Sequence, residues 1–179
     1  MTAATTTFGR TGRTVSRVGL GTYHLTSDRR VPHDEAIELV RESVRLGVRV
    51  IDTAPMYGLG EAEQIVGEAL AGVDADDVYL IDKVGRFEKS ILARLGDDCY
   101  GSAELIRAQF EHSLRLLGRD RLELLLLHES DWTDWWPDGV FGAGSPAMDA
   151  LEKLRADGLV ESIGLSTRRP EQTRALCDT

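Results

Sequence analysis

An α/β fold built on a parallel sheet of barrel type follows from three observations on this sequence. Short apolar runs alternate with stretches of helical periodicity, so successive strands are joined by helices and run parallel. Three of the runs end on ionisable side chains: Val48–Ile51 leads into Asp52 and, five residues on, Tyr57; Val78–Asp82 leads into Lys83; Leu124–Leu127 leads into His128. The first strand-to-helix turn has only Gly19-Leu20-Gly21 followed by Thr22 and Tyr23, whereas a doubly wound nucleotide-binding sheet carries G-x-G-x-x-G there. Ionisable groups gathered where parallel strands stop are the arrangement of TIM-type (β/α)8 barrels.

The Gly-rich opening from Thr7 to Val15 reads as a short β-hairpin, and Arg17–Thr22 as the first interior strand. Asp34 is expected to cap a helix that turns Ile37, Val40 and Val44 inward and stops at Gly47. The second strand delivers Asp52. Glu61–Leu70 is expected to be the next helix, with Ile65, Val66, Ala69 and Leu70 inward and Gly72 closing it; the third strand then delivers Lys83. Segment 86–101 reads as irregular. Ser102 is expected to cap a long helix carrying Leu105, Ile106, Phe110, Leu114 and Leu117 and ended by Gly118. The fourth strand delivers His128, and Glu129–Gly144 forms a loop rich in Trp, Asp and Gly, of a length that usually signals function or disorder. Ser145-Pro146 opens a helix lined by Met148, Leu151 and Leu154 before Gly158. The fifth strand, Val160–Leu165, ends at Ser166, and Arg169-Pro170 starts a further helix.

With 179 residues, 42% apolar and 28% charged, the chain has the material for one core, and residues 1–179 read as a single domain. A net charge of −9 and a pI near 4.9 weigh against a nucleic-acid surface. Cys99 and Cys177 match no metal or redox spacing, and no second His or Cys sits at ligand spacing on the strand ends, so no metal is expected. No apolar run approaches the roughly 20 residues that cross a bilayer, and Met1-Thr2-Ala3-Ala4-Thr5 has no signal pattern. No membrane association and a cytoplasmic location are the expectation.

The residue types at the strand ends suit proton transfer to a carbonyl. A phenol titrates near about 10 and is a poor acid or base at neutral pH unless an ammonium stabilises its phenolate and a carboxylate holds that ammonium in place. Hydride arriving at a carbonyl creates an alkoxide that must be protonated as it forms, and a neutral imidazole can supply a second donor to that oxygen. Each residue also has an ordinary role: Asp52 as a turn cap, Tyr57 as a half-buried aromatic, Lys83 as a solvated strand-end charge, His128 as a boundary residue. Those ordinary roles require four coincidences on three strands. Trp132, Trp135 and Trp136 could wall a substrate site or simply pin their loop. His24 reads as a surface turn, His33 as a helix start and His112 as a helix surface.

Leu20-Gly21-Thr22-Tyr23, Gly47 through Gly58 with its Asp52-Thr53-Ala54-Pro55-Met56-Tyr57 core, Gly60-Glu61-Ala62-Glu63, a Lys ending the third strand and a His ending the fourth together resemble the aldo-keto reductase family. Within it the chain looks most like the bacterial sugar and aldose dehydrogenases. The resemblance implies a (β/α)8 barrel that binds NADP(H) or NAD(H) at its C-terminal face and acts on an aldehyde, ketone or sugar lactol. It implies Tyr57 as general acid/base, Asp52 and Lys83 as the pair that eases its proton loss, and His128 as the group that orients the carbonyl. Gly21, Thr22, Tyr23, Asp52, Ser166 and Thr167 would meet the cofactor, and Tyr23 and Trp132 the substrate. Thr167 stands where the family commonly has Asn.

A full barrel takes about 250 residues, and five strands do not close one. The expectation is therefore an incomplete barrel, a hairpin plus about five βα units, with the grip on the cofactor impaired in this chain alone. Such a chain is a piece of a longer parent, is completed by self-association or by a second chain, or is a shortened relative. Two other functions stay open at this point: cofactor-independent acid/base or Schiff-base chemistry, as in an isomerase, dehydratase or aldolase, and a non-catalytic subunit.

Overall fold

The computed structural model describes residues 3–27, 31–96, 102–129 and 145–177. Two antiparallel strands come first, β1 (Thr5–Thr7) and β2 (Thr14–Ser16), followed by β3 (Leu20–Gly21) and a short helix α1 (Tyr23–Thr26). Then come α2 (His33–Arg45), β4 (Val50–Asp52), α3 (Glu61–Leu70), β5 (Tyr79–Val84), α4 (Lys89–Leu95), α5 (Ala103–Leu117), β6 (Leu122–His128), α6 (Pro146–Ala156), β7 (Val160–Ser166) and α7 (Pro170–Cys177).

The five strands β3 to β7 form one parallel sheet in strict chain order. Strand order that never reverses puts every crossover on the same side, because parallel crossovers share one hand. A doubly wound sheet would reverse and carry helices on both faces. The sheet is accordingly part of a barrel wall. Its outer face packs Ile51, Leu80, Val84, Leu125 and Leu127 against Ile65 and Val66 of α3, Ile106 and Phe110 of α5, and Leu151 and Leu154 of α6. The alternate residues Val50, Tyr79, Ile81, Leu124 and Leu126 turn to the inner face, where Val15 and Phe8 of the hairpin cover its N-terminal end. Phe8 and Tyr79 meet there with ring centroids 5.0 Å apart.

The helices form where the apolar spacing places them. In α2 the buried side chains are Ala36, Ile37, Val40 and Val44, one face of a 3.6-residue period. Its N-cap is Pro32, and Asp34 lies inside the first turn beside Glu35; its carboxylate favours the positive helix end from there without capping it. Ser102 and Ser145 do cap, accepting the Leu105 and Met148 N–H groups at 3.3 and 3.4 Å. Gly67 of α3 is needed for close approach to α5: a Cβ there would sit 2.2 Å from the Leu116 carbonyl oxygen.

Besides the Asp34 cap, three expectations are corrected. The first interior strand pairs over only Leu20–Gly21, and Tyr23–Thr26 turns into helix directly after it. Residues 89–95 of the segment expected to be irregular form α4. Strands β4, β5 and β6 extend through Asp52, Lys83 and His128, so these residues belong to the pleat itself. The tryptophan-bearing loop, with Trp132, lies outside the described residues, apart from Glu129 at its start.

Candidate active site

Because the pleat alternates, Asp52, Lys83 and His128 share the inner face with Val50, Ile81 and Leu126, and all three stand at the C-terminal end of their strands. The register fixes their spacing: Asp52 lies opposite Gly21 and Ile81, Lys83 opposite Leu126, and His128 opposite Ser166. Lys83 is nearly enclosed, its side chain 5% exposed, while Asp52 is 37% exposed. The ammonium donates to Asp52 Oδ1 at 2.7 Å and to the Thr53 carbonyl at 2.7 Å. Two of its three donors are therefore committed at good geometry, as a buried ammonium requires.

Tyr57 reaches the same place from the turn after β4. Its N–H donates to the Ala54 carbonyl at 3.0 Å, and its own carbonyl accepts the Ala62 N–H at 3.2 Å, which ties the turn to the start of α3. The turn leaves Tyr57 through three successive left-handed residues, Gly58, Leu59 and Gly60, of which Leu59 (φ +56°) is strained. Gly58 packs so tightly on Thr26 that a Cβ would stand 2.7 Å from that residue's Cβ. The Tyr57 ring receives the Lys83 ammonium 4.8 Å from its centroid, His128 edge-on at 5.9 Å and Tyr23 edge-on at 5.3 Å. Four groups remote in the chain thus surround one spot.

His128 is buried, and that burial, together with the positive charges of Lys83 and Arg86, lowers its pKa to about 3. The imidazole is neutral at any ordinary pH and can donate a hydrogen bond without carrying charge. The residue after it, Glu129, has φ +52° and forms an ion pair with Arg86, which links the ends of β6 and β5. Gln109 of α5 fixes the β5 end as well: its side chain accepts the Gly85 N–H at 2.7 Å and donates to the Arg86 carbonyl at 2.8 Å.

The remaining candidates fall at the same rim in different ways. Gly21 faces open space, with no heavy atom within 4 Å of a Cβ built there. Thr22 is fully buried, and both its N–H and its hydroxyl donate to the Asp52 carbonyl at 3.0 Å; it locks Asp52 in place. Tyr23 is 54% exposed. Ser166 ends β7 beside His128, and the Thr167 hydroxyl accepts the Arg169 N–H at 3.0 Å in the turn before α7. His24 lies exposed on α1, 3.3 Å from Ser27 Oγ, while His33 begins α2 and approaches Glu68 at 3.4 Å. The Thr53 carbonyl, Gln109, and the pair Arg86 and Glu129 were missed by the sequence reading. A backbone carbonyl and a cross-element amide clamp leave no residue-type signal.

The sequence matches the Aldo/keto reductase family model over residues 17–179. It is 32% identical over 170 residues to an aldo-keto reductase of Mycobacterium sp. (strain KMS), covering 94% of this chain and 51% of that protein. It is 33% identical over 161 residues to the L-galactose dehydrogenase of Arabidopsis thaliana, covering 88% of this chain and 46% of that protein. A crystal structure of an aldo-keto reductase from Klebsiella pneumoniae in complex with NADPH superposes with a TM-score of 0.72 at 30% identity, over 100% of this chain and 55% of that one. The chain spans about half the length of the curated relatives it matches.

Proposed function

Since the chain belongs to the aldo/keto reductase family, we propose that it supplies the catalytic half of a nicotinamide-dependent oxidoreductase acting on an aldehyde, a ketone or a sugar lactol. The observation that carries the reading is the position of the Lys83 ammonium, 2.7 Å from Asp52 and 4.8 Å from the centre of the Tyr57 ring. A bound nicotinamide dinucleotide would supply the hydride. Gly21, which opens onto empty space opposite Asp52, and the Ser166 hydroxyl beside His128 suit the small amide end of such a molecule. Thr22, Tyr23, Asp52 and Thr167 complete that rim, with Thr22 acting through its hold on Asp52. The similarity to a protein whose structure was solved with NADPH supports the phosphorylated cofactor.

In the direction of reduction, negative charge builds on the carbonyl oxygen, and the Tyr57 hydroxyl gives its proton to that oxygen. The phenolate left behind is balanced by Lys83, whose charge Asp52 and the Thr53 carbonyl keep in place. Neutral His128 donates a hydrogen bond to the same oxygen and orients it. Oxidation of a lactol runs the same proton path backwards. Tyr23, exposed and edge-on to Tyr57, stands where a substrate would enter, and Trp132 is proposed to join it. The similarity to L-galactose dehydrogenase supports a sugar substrate class. The active assembly is proposed to complete the barrel beyond β7, either along a longer chain or with a second one. The test is Tyr57→Phe in that assembly. Carbonyl reduction should fall by about a hundred- to ten-thousand-fold with cofactor binding retained, and unchanged turnover would overturn the assignment.

A further inference from the structure

Behind Lys83, on the outer face of the same strand, lies a second group of ionisable residues that the reaction does not use. Asp82 of β5 and Glu63 of α3 are both completely buried, and Ser113 of α5, also completely buried, lies beside them. No well-formed hydrogen bond reaches any of the four carboxyl oxygens; the donors beside them are the Lys83 N–H and the Ser113 hydroxyl, which is donated to the Gln109 carbonyl at 3.2 Å. Two adjacent carboxylates so poorly supplied with donors inside a core are not a stable arrangement, because each would bear most of the cost of desolvation as well as the repulsion of the other. A single proton removes both difficulties: one carboxyl becomes a donor, and the other accepts from it.

We propose that Glu63 and Asp82 share one proton at neutral pH and act as a positioning pair that fastens α3 to the strand carrying Lys83. The groups facing the pair are consistent with this. Burial raises both acids first; the charge of Asp82 raises Glu63 further, and Asp52 of β4 raises Asp82 further. Lys83 of β5 opposes the rise on Asp82, and Ser113 of α5 opposes it on both acids. The clamp acts next to the site, since Asp82 precedes Lys83 in the chain and Gln109, one helical turn before Ser113, holds Gly85 and Arg86 just after it. The role for Lys83 rests on the reading proposed above; the shared proton does not.

Infrared difference spectroscopy of the full chain, with Glu63→Gln and Asp82→Asn as comparisons, tests the proton without requiring turnover. The wild-type chain should show a protonated-carboxyl carbonyl band at pH 7 that bleaches on raising the pH; the band should move in frequency in each single variant and be lost when both substitutions are combined. Absence of the band at pH 7, its survival in the double variant, or an unmoved band in either single variant overturns the shared proton. Hydrogen exchange of the β5 amides tests the positioning. Relative to Glu63→Gln at the same pH, wild-type exchange should rise by up to about tenfold per pH unit between roughly pH 5 and 8. A ratio that stays flat across that range would show that the pair does not control the strand.

Discussion

Strand β5 carries two ionisable residues in succession, and its two faces treat them in opposite ways. Toward the inside of the barrel wall, Lys83 finds a carboxylate and a carbonyl at 2.7 Å each. Toward the helices, Asp82 finds another acid and no well-formed hydrogen bond, and burial pushes it toward the neutral form. Lys83 and Asp82 are themselves both buried, so their own burial does not distinguish them. The difference lies in the partners that the pleat delivers. The inner face meets the ends of neighbouring strands, where backbone carbonyls and side chains converge; the outer face meets α3 and α5, whose inward sides are mostly apolar apart from Glu63 and Ser113. On the inner face the ionisable group meets polar partners; on the outer face it meets another acid, and the proposed shared proton removes the repulsion.

The largest expected effect that separates the faces is on Lys83. Lys83→Met should reduce carbonyl reduction by roughly a hundredfold or more in the active assembly, with near-normal secondary structure by circular dichroism, because the Asp52 it abandons is partly open to water. If the variant reacts at the wild-type rate, the inner face has no claim to be the reacting one.

A smaller effect sharpens the comparison through pH. His128 binds its proton less readily in the folded chain (about 3) than in the unfolded one (about 6.5). The unfolded chain therefore takes up the proton first as pH falls, and folded stability is lost below about pH 6.5, by at most about 1.4 kcal/mol per pH unit. The two buried acids behave in the opposite sense: their raised values make the folded chain hold protons that the unfolded chain has released, so their contribution falls as pH rises from about 4 toward 8. Denaturant titrations across pH should show His128→Gln relieving the acid limb alone and Glu63→Gln the alkaline limb alone. Variants that moved both limbs together would mean that the faces are not independent.

The smallest effect serves as a control for the outer layer. Ser102→Ala removes the oxygen that accepts the Leu105 N–H at the start of α5 and should cost about 1 kcal/mol in denaturant stability. The kinetic constants should not change, since Ser102 touches none of the groups around Tyr57. A loss of turnover larger than the loss of stability would tie the helix end to the site.

Much of the molecule was legible from its residues alone, for local reasons. The α3 boundaries follow from its apolar spacing, and the Ser102 cap with Gly118 at φ +62° follows from side-chain oxygens and the absence of a Cβ, properties that a residue carries with it. The strand ends at Asp52, Lys83 and His128 were readable because polar, ionisable side chains break each apolar run there. Other features were not readable in this way. Asp34 has the chemistry of a cap and is not one, because Pro32 begins the helix two residues earlier. Helix α4 is only seven residues long, too short a run for its Ile91 and Leu95 spacing to stand out.

The sequence by itself determined the alternation of strand and helix, and hence a parallel sheet with ionisable groups at one end, because periodicity and caps act within a few residues. Only the tertiary structure decided which groups meet: that Thr53 offers Lys83 a carbonyl, that Tyr57 turns its ring to that ammonium, and that Glu63 and Asp82 confront each other across the outer layer. Those encounters depend on strand register and on the packing of α3 and α5, which bring together residues tens of positions apart, and no local pattern encodes the distance between them.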